Sequence, residues 1–191
     1  MVAITTPDSH HFPWYVRLFF WNQKRRYGAV LEPARLWGRT PRVFAALALL
    51  YGAFDRRASP IPPALRTLIT VRVSQINWCS FCVDVNAATA LKRGVSEEKL
   101  MAVATFRDSV LFSEQEKSAL AYAETMTYTD RHPAAEEFTK LREHFSDDAI
   151  IELSALIAFQ NLSSKFNAAL QVPPQGFCAV ASALTPHDQA E

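Results

Sequence analysis

Cysteine and glycine are both scarce in this chain, with three and five in 191 residues. So few cysteines cannot build a disulfide framework, and so little glycine excludes a collagen-like or glycine-rich chain. Charge of one sign is lacking too. Twenty basic residues face nineteen acidic ones, for a net charge of +1. That excludes a nucleic-acid binder working through a general basic footprint. No apolar run approaches the ~18 residues of a membrane-spanning helix. The nearest are Val43 to Tyr51 and Ala149 to Phe159, and the second contains Glu152. The first residues, Met1 to Asp8, show no basic stretch followed by an apolar one, as a secretory leader would. The expectation is a protein of the reducing cytoplasm that does not enter a membrane. There, paired cysteines read as redox-active or metal-binding before they read as a structural bridge.

What is present is apolar residues, at 49%, against 20% charged, enough to bury a core. A prior of roughly 150 residues per domain reads positions 1–191 as one domain, with tails at 1–12 and 178–191. No proline lies between Pro63 and Pro133, and Gly94 is the one glycine between them. No Val/Ile/Thr run alternates with period two, so the fold class is all-α. The breakers and caps predict helices over Trp14–Arg26, Pro41–Tyr51 (stopped by Gly52) and Pro63 to about Ile76. Asn77 is expected to cap a helix from Trp78 to about Arg93. Ser96 starts a short helix, the Ser113/Glu116 capping box another to about Met126, and Pro133 one to His144. Ser146 caps a last long helix to about Leu170. Its stretch Ala149–Phe159 is apolar nearly all round, which suits the centre of a bundle or an oligomer interface.

The strongest chemical signal is Asn77-Trp78-Cys79-Ser80-Phe81-Cys82. Two cysteines three apart on a helix lie about 60° apart, at roughly 100° per residue. They can close a disulfide within one turn. Near a helix start, free N–H groups and the dipole favour the thiolate, which is the nucleophile. The plain alternative is two small buried residues that never react. A closed zinc site needs four Cys or His ligands, and no second Cys-x-x-Cys is present, so no metal is expected. A thioredoxin-like reading fails for want of a βαβ pattern. Asn86 lies about 40° from Cys82 and about 20° from Cys79 on the wheel, making it the local polar partner. Asp84, about 160° from Cys82, is expected to face solvent or a neighbouring helix.

The run from Pro63 to Asp84, with Arg-Val-Ser-Gln-Ile-Asn-x-Cys-x-x-Cys at 72–82, resembles the carboxymuconolactone decarboxylase-like superfamily, in its alkylhydroperoxidase D-like branch. Gly94-Val95-Ser96, Phe112 to Lys117 and Ala158 to Asn167 also fit, and the core of the resemblance covers about residues 40–125. It implies a multi-helix bundle built around a helical hairpin, assembled as a homo-oligomer, commonly a trimer or hexamer. It further implies a hydroperoxide-reducing dithiol with no cofactor, in which Cys82 attacks the peroxide and Cys79, the more exposed, resolves the sulfenic acid. An external dithiol of the lipoyl type then reduces the disulfide. Helix position alone points the other way, because Cys79 is nearer the start. The chain departs from the family pattern at three places. The family's glutamate before the pair is Thr67 here, its histidine after the pair is Asn86, and a flanking position sometimes held by histidine is Phe81. The usual proton relay is therefore absent. No histidine-rich site of the founding decarboxylase is present.

Arg72 is a further candidate, if the hairpin brings its charge to the thiolate. Lys24-Arg25-Arg26 behind Phe19-Phe20-Trp21 reads as an aromatic helix docked on a neighbour with a solvated basic end. His10-His11 read as tail, and His132 and His144 carry no assigned chemistry. Asn161 and Asn167 read as turn or interface hydrogen-bonding residues, with a pocket role possible by resemblance. The sequence thus expects a hydroperoxide reductase using Cys79, Cys82 and Asn86. Its alternatives are a non-catalytic redox-responsive or scaffold oligomer, and an enzyme of another reaction type on the same fold.

Overall fold

The computed structural model describes residues 2–5 and 11–185, and among them every regular element is helical. In chain order these are α1 Trp14–Tyr27, α2 Glu32–Gly38, α3 Pro41–Phe54, α4 Pro63–Ile76 and α5 Ser80–Lys92. They continue with α6 Glu97–Met101, a 3₁₀ turn Ala102–Thr105, α7 Glu114–Thr127, α8 Ala135–Arg142, α9 Asp147–Ala169 and α10 Ala181–Leu184. The α4–α5 hairpin is the centre, with α7 and α9 packed on α4. Its core includes Leu68, Ile69, Val73, Leu120, Leu153 and Ile157, all fully buried. A second apolar cluster joins α1 to α3, with Phe19 and Phe20 edge-on to Phe44. No helix among the described residues is long and apolar enough to cross a membrane.

Local signals place most helix starts. Ser96, Ser113 and Ser146 each accept the N–H three residues on, and Ser113 and Glu116 close the full capping box. Four expectations are corrected. No expected helix covers α2, because Pro33 reads as a breaker although it stands in the first turn of a helix. Gly38 there meets Phe12 so closely that a Cβ would lie 2.9 Å from its ring. Gly52 does not stop α3, which continues to Phe54, whose ring tilts against Phe159 of α9 at 5.5 Å. Asn77 does not cap α5. It ends α4, and its amide donates to Asn161 Oδ1 at 2.8 Å and Ser164 Oγ at 2.9 Å. Finally, the described parts of both expected tails pack on the body. Ala3 N–H donates to Leu170 C=O, Phe12 and Cys178 are buried, and α10 lies against α5. His10 and residues 186–191 lie outside the described residues.

Glu152 on α9 ties down the α3–α4 loop, accepting hydrogen bonds from Ser59 and Arg56. Burial opposes its ionisation, but those two bonds prevail and hold the carboxyl below its ordinary value of 4.5. A depressed carboxylate adds stability that is present above the unfolded value and lost as pH falls through the folded one. The urea midpoint of the wild type should therefore fall as pH drops below about 4.5, and Glu152→Gln should flatten that part of the profile. A variant whose pH profile overlies the wild type would refute this role.

Candidate functional site

The turn between α4 and α5 places the cysteine pair. Trp78 adopts φ 55°, a left-handed conformation uncommon for a bulky residue, and this reverses the chain just before Cys79. Helix α5 then starts on Cys79 itself, whose Sγ accepts the Cys82 N–H at 3.2 Å. Cys79 and Cys82 are joined as a disulfide, with Cα atoms 5.2 Å apart. Both sit in the first turn of α5, where the helix dipole favours negative sulfur. The resemblance implied a more exposed Cys79, and this is corrected. Cys79 is 1% exposed and Cys82 3%, covered by Leu36 of α2 and by Val172.

One face of Cys82 opens into a cavity of about 500 Å³ between α1, α2, α3, α4, α5 and α9, while Cys79 is not part of its wall. Aromatic rings make much of that wall, among them Phe19, Trp37, Phe44, Phe81 and Phe159. The volume lies within the range of small-molecule sites, roughly 300–1,000 Å³.

The expected partners are redistributed. Asn86 lines the cavity with Cys82, but its amide donates to Ser74 Oγ at 3.3 Å. The side chain bonded to Cys82 is Asn167 of α9, whose Nδ2 donates to Sγ at 3.2 Å. Thr67 also lines the cavity, and its hydroxyl donates back to the Ala64 carbonyl at 2.7 Å. Arg72 does not serve the thiols. It pairs with buried Glu124 of α7 at 2.5 Å, and Arg107 joins the same carboxylate at 2.6 Å. Asp84 neither faces solvent nor serves a helix. Fully buried, it accepts N–H bonds from Gln175, Gly176 and Cys178 at 2.7–2.8 Å and so pins the segment after α9.

Asn167, for which the resemblance allows a pocket role, lines the cavity and belongs to a stripe whose other members, Gln160 and Ser164, have no sequence-level expectation. Gln160, Ser164 and Asn167 stand at i, i+4 and i+7 on α9, and all three are buried. Gln160 reaches Ser74 at 2.9 Å, Ser164 meets Asn77 and Asn167 meets Cys82. Asn161, one position off the stripe, accepts from Asn77 and donates to Thr127 at 3.1 Å. Uncharged polar side chains at helical spacing on a helix expected at the bundle centre are the signal that could have found the stripe.

Comparison with known proteins agrees with this fold. Residues 41–125 match the profile of the carboxymuconolactone decarboxylase family. The uncharacterized protein YnjA of Escherichia coli (strain K12) is 40% identical over 176 residues, spanning 91% of this chain and 96% of that protein. Among solved structures, the alkylhydroperoxidase AhpD core of a peroxidase-related protein from Ralstonia eutropha JMP134 superposes with a TM-score of 0.83 at 20% identity. That match covers 92% of this chain and 94% of that one. The debrominase Bmp8 superposes with a TM-score of 0.78 at 25% identity, over 90% and 92% of the two chains.

Proposed function

This chain belongs to the carboxymuconolactone decarboxylase family, and from that membership we propose that it is a thiol-dependent hydroperoxide reductase cycling a Cys79/Cys82 dithiol. The carrying observation is that Cys82 alone of the pair forms part of the cavity wall, within disulfide reach of Cys79. In the reduced protein the Cys82 thiol ionises, favoured by the α5 terminus and the Asn167 amide. Its sulfur attacks the terminal oxygen of a hydroperoxide. The O–O bond breaks, the S–O bond forms, and the departing alkoxide takes the proton the thiol released. The Cys79 thiol then attacks the sulfenic sulfur, the S–S bond forms and water leaves. An external dithiol, such as a lipoyl group, restores both thiols and itself becomes a disulfide. Neither Thr67 nor Asn86 can act as a base, so no proton relay is assigned to them. The proposed protein is a cytoplasmic homo-oligomer, a trimer or hexamer, for which exposed Leu49, Ile151 and Leu162 offer apolar surface.

Likeness to the debrominase supports a second reading. The same dithiol, oxidised to the disulfide, would supply two electrons to convert a carbon–bromine bond to carbon–hydrogen with release of bromide. The test is consumption of an organic hydroperoxide by wild type with dihydrolipoamide, beside a Cys79→Ser/Cys82→Ser double variant. Turnover in wild type and none in the double variant is expected. The debrominase has also been solved, as a Cys-to-Ala variant, in complex with 2,3,4-tribromopyrrole, and bromide release from that compound without peroxide turnover favours the second reading. No turnover in either protein would leave a non-catalytic oligomer, and equal turnover in both would make the reaction independent of the thiols.

A further inference from the structure

The polar end of the cavity bears on what enters it. Of the charged side chains in its wall, three are arginines, Arg26, Arg66 and Arg93, and one is a carboxylate, Asp55. Asp55 is spent on Arg93, and nearby Arg56 is paired with Glu152. Arg66 has no such partner among the described residues. It is 6% exposed, its Nη1 donates only to the carbonyls of Phe54 and Arg56, and its Nε is buried without any hydrogen bond. The carboxylates of Asp55 and Glu152 lie near enough to act on its charge, but each is paired with another arginine, and a buried cation bonded directly only to carbonyls is costly unless an anion completes its surroundings. Burial, then neighbouring Arg93, outweigh the opposing pull of Asp55 and Glu152 and bring the Arg66 value down. At the same end lies Tyr51, half-exposed as a residue. Burial of its hydroxyl, aided by Tyr27 and Asp55, pushes it up to about 12. It is therefore a neutral O–H donor at ordinary pH.

The other orphan is at the opposite end. Asn167 Oδ1 is buried without a partner while its Nδ2 holds Cys82. These two atoms are the buried side-chain donor and acceptor left unsatisfied among the described residues, and both belong to residues of the cavity wall. Across the hairpin Ser74 pairs with Asn86 and Pro63 with Arg93. Arg66 therefore lies level with the end of α5, about 15 Å from Cys82 along the helix at ~1.5 Å per residue. Between the two ends the wall is mainly apolar, with Phe44, Leu47, Phe54 and Phe159.

We infer that the cavity binds an elongated, mostly apolar organic carboxylate, its carboxylate on Arg66 and its far end against Cys82 and Asn167. The identity of the reacting group at that far end rests on the dithiol reading above. Recognition of the carboxylate does not. A hydroperoxide terminus would place its O–H donor at Asn167 Oδ1, beside the sulfur that attacks it.

The test is calorimetric titration of decanoate and decan-1-ol into the full chain, wild type and Arg66→Gln, with no peroxide present. Decanoate should bind wild type at least about tenfold more tightly than decan-1-ol, as a charge-assisted pair requires. Arg66→Gln should lose that preference and keep its affinity for the alcohol. Equal affinities in wild type, no decanoate binding, or a preference retained in Arg66→Gln would each overturn the inference. Arg66 also holds two backbone carbonyls, so the variant could fail to fold. Protection of Cys82 in reduced wild type from iodoacetamide then decides the matter. Decanoate should protect at lower concentration than decan-1-ol, and equal protection overturns the inference. Because binding is read without turnover, a protein that binds decanoate yet reduces no hydroperoxide refutes only the reaction. One that reduces hydroperoxides with no carboxylate preference refutes only the ligand.

Discussion

Cys82→Ser is expected to abolish hydroperoxide reduction, whereas Cys79→Ser is expected to react once and stop. Removal of a nucleophile costs on the order of 10⁴-fold or more in rate, and Cys82 is the sulfur in the cavity wall. It also accepts the Asn167 amide at 3.2 Å, a bond that favours negative sulfur. Cys79 is buried beneath Leu36 and Val172 and supplies the second thiol. Without it, the sulfenic acid on Cys82 has no neighbour with which to condense. Intact mass of Cys79→Ser after peroxide should show one added oxygen, trappable by a sulfenic-acid reagent at Cys82. Wild type should instead lose two hydrogens. Oxygen added at Cys79 in the Cys82→Ser variant after a single reaction, with Cys79→Ser inert toward peroxide, would reverse the roles and leave helix position as the deciding influence.

Asp84→Ala is expected to lower stability by about 3–5 kcal/mol, because three backbone donors to one buried carboxylate lose their acceptor together. The donors are the amides of Gln175, Gly176 and Cys178, at 2.8, 2.8 and 2.7 Å. Gly176 makes the turn possible, at φ 76°, where a side chain would be strained. The pinned segment buries Cys178 and leads into α10, whose Leu184 carbonyl accepts from Gln75 at 2.8 Å. Two readings should move together in the variant. The urea midpoint should fall, and Cys178 should become reactive toward a thiol reagent while Cys79 and Cys82 remain oxidised. An unchanged midpoint with Cys178 still protected would show that apolar packing of α10, not Asp84, holds the segment. Asp84→Asn, which keeps an oxygen acceptor, should lose less.

These contrasts mark where sequence reasoning carries and where it stops. Ser113 with Glu116, and Ser146 before α9, announce helix starts because a cap acts within four residues. The cysteine spacing is likewise local, and it placed both sulfurs on one turn. Asp84 is different. A helical wheel gives its direction relative to Cys82, but nothing local reveals that residues more than ninety positions later bring three amides to it. Asn167 reaches Cys82 from 85 residues away. Asn86 is one turn from Cys82 yet is engaged by Ser74 of the neighbouring helix. Arg72 lies on the preceding helix, as its position in the sequence requires, but it answers to Glu124 of α7, which no spacing argument couples to it. The helix α2 has a proline in its first turn and no side-chain cap, so it is held by packing of Ala34 and Leu36 rather than by its own sequence.

Cys79 stands where helices ordinarily place serine, threonine, aspartate or asparagine. One sulfur atom therefore has two duties, closing the open end of α5 and exchanging electrons. Serine at this position keeps the first duty and gives up the second, while alanine gives up both. The pair of substitutions thus separates architecture from redox chemistry at a single residue. Whatever serine and alanine lose in common belongs to the electron exchange, and whatever alanine loses beyond serine belongs to the helix.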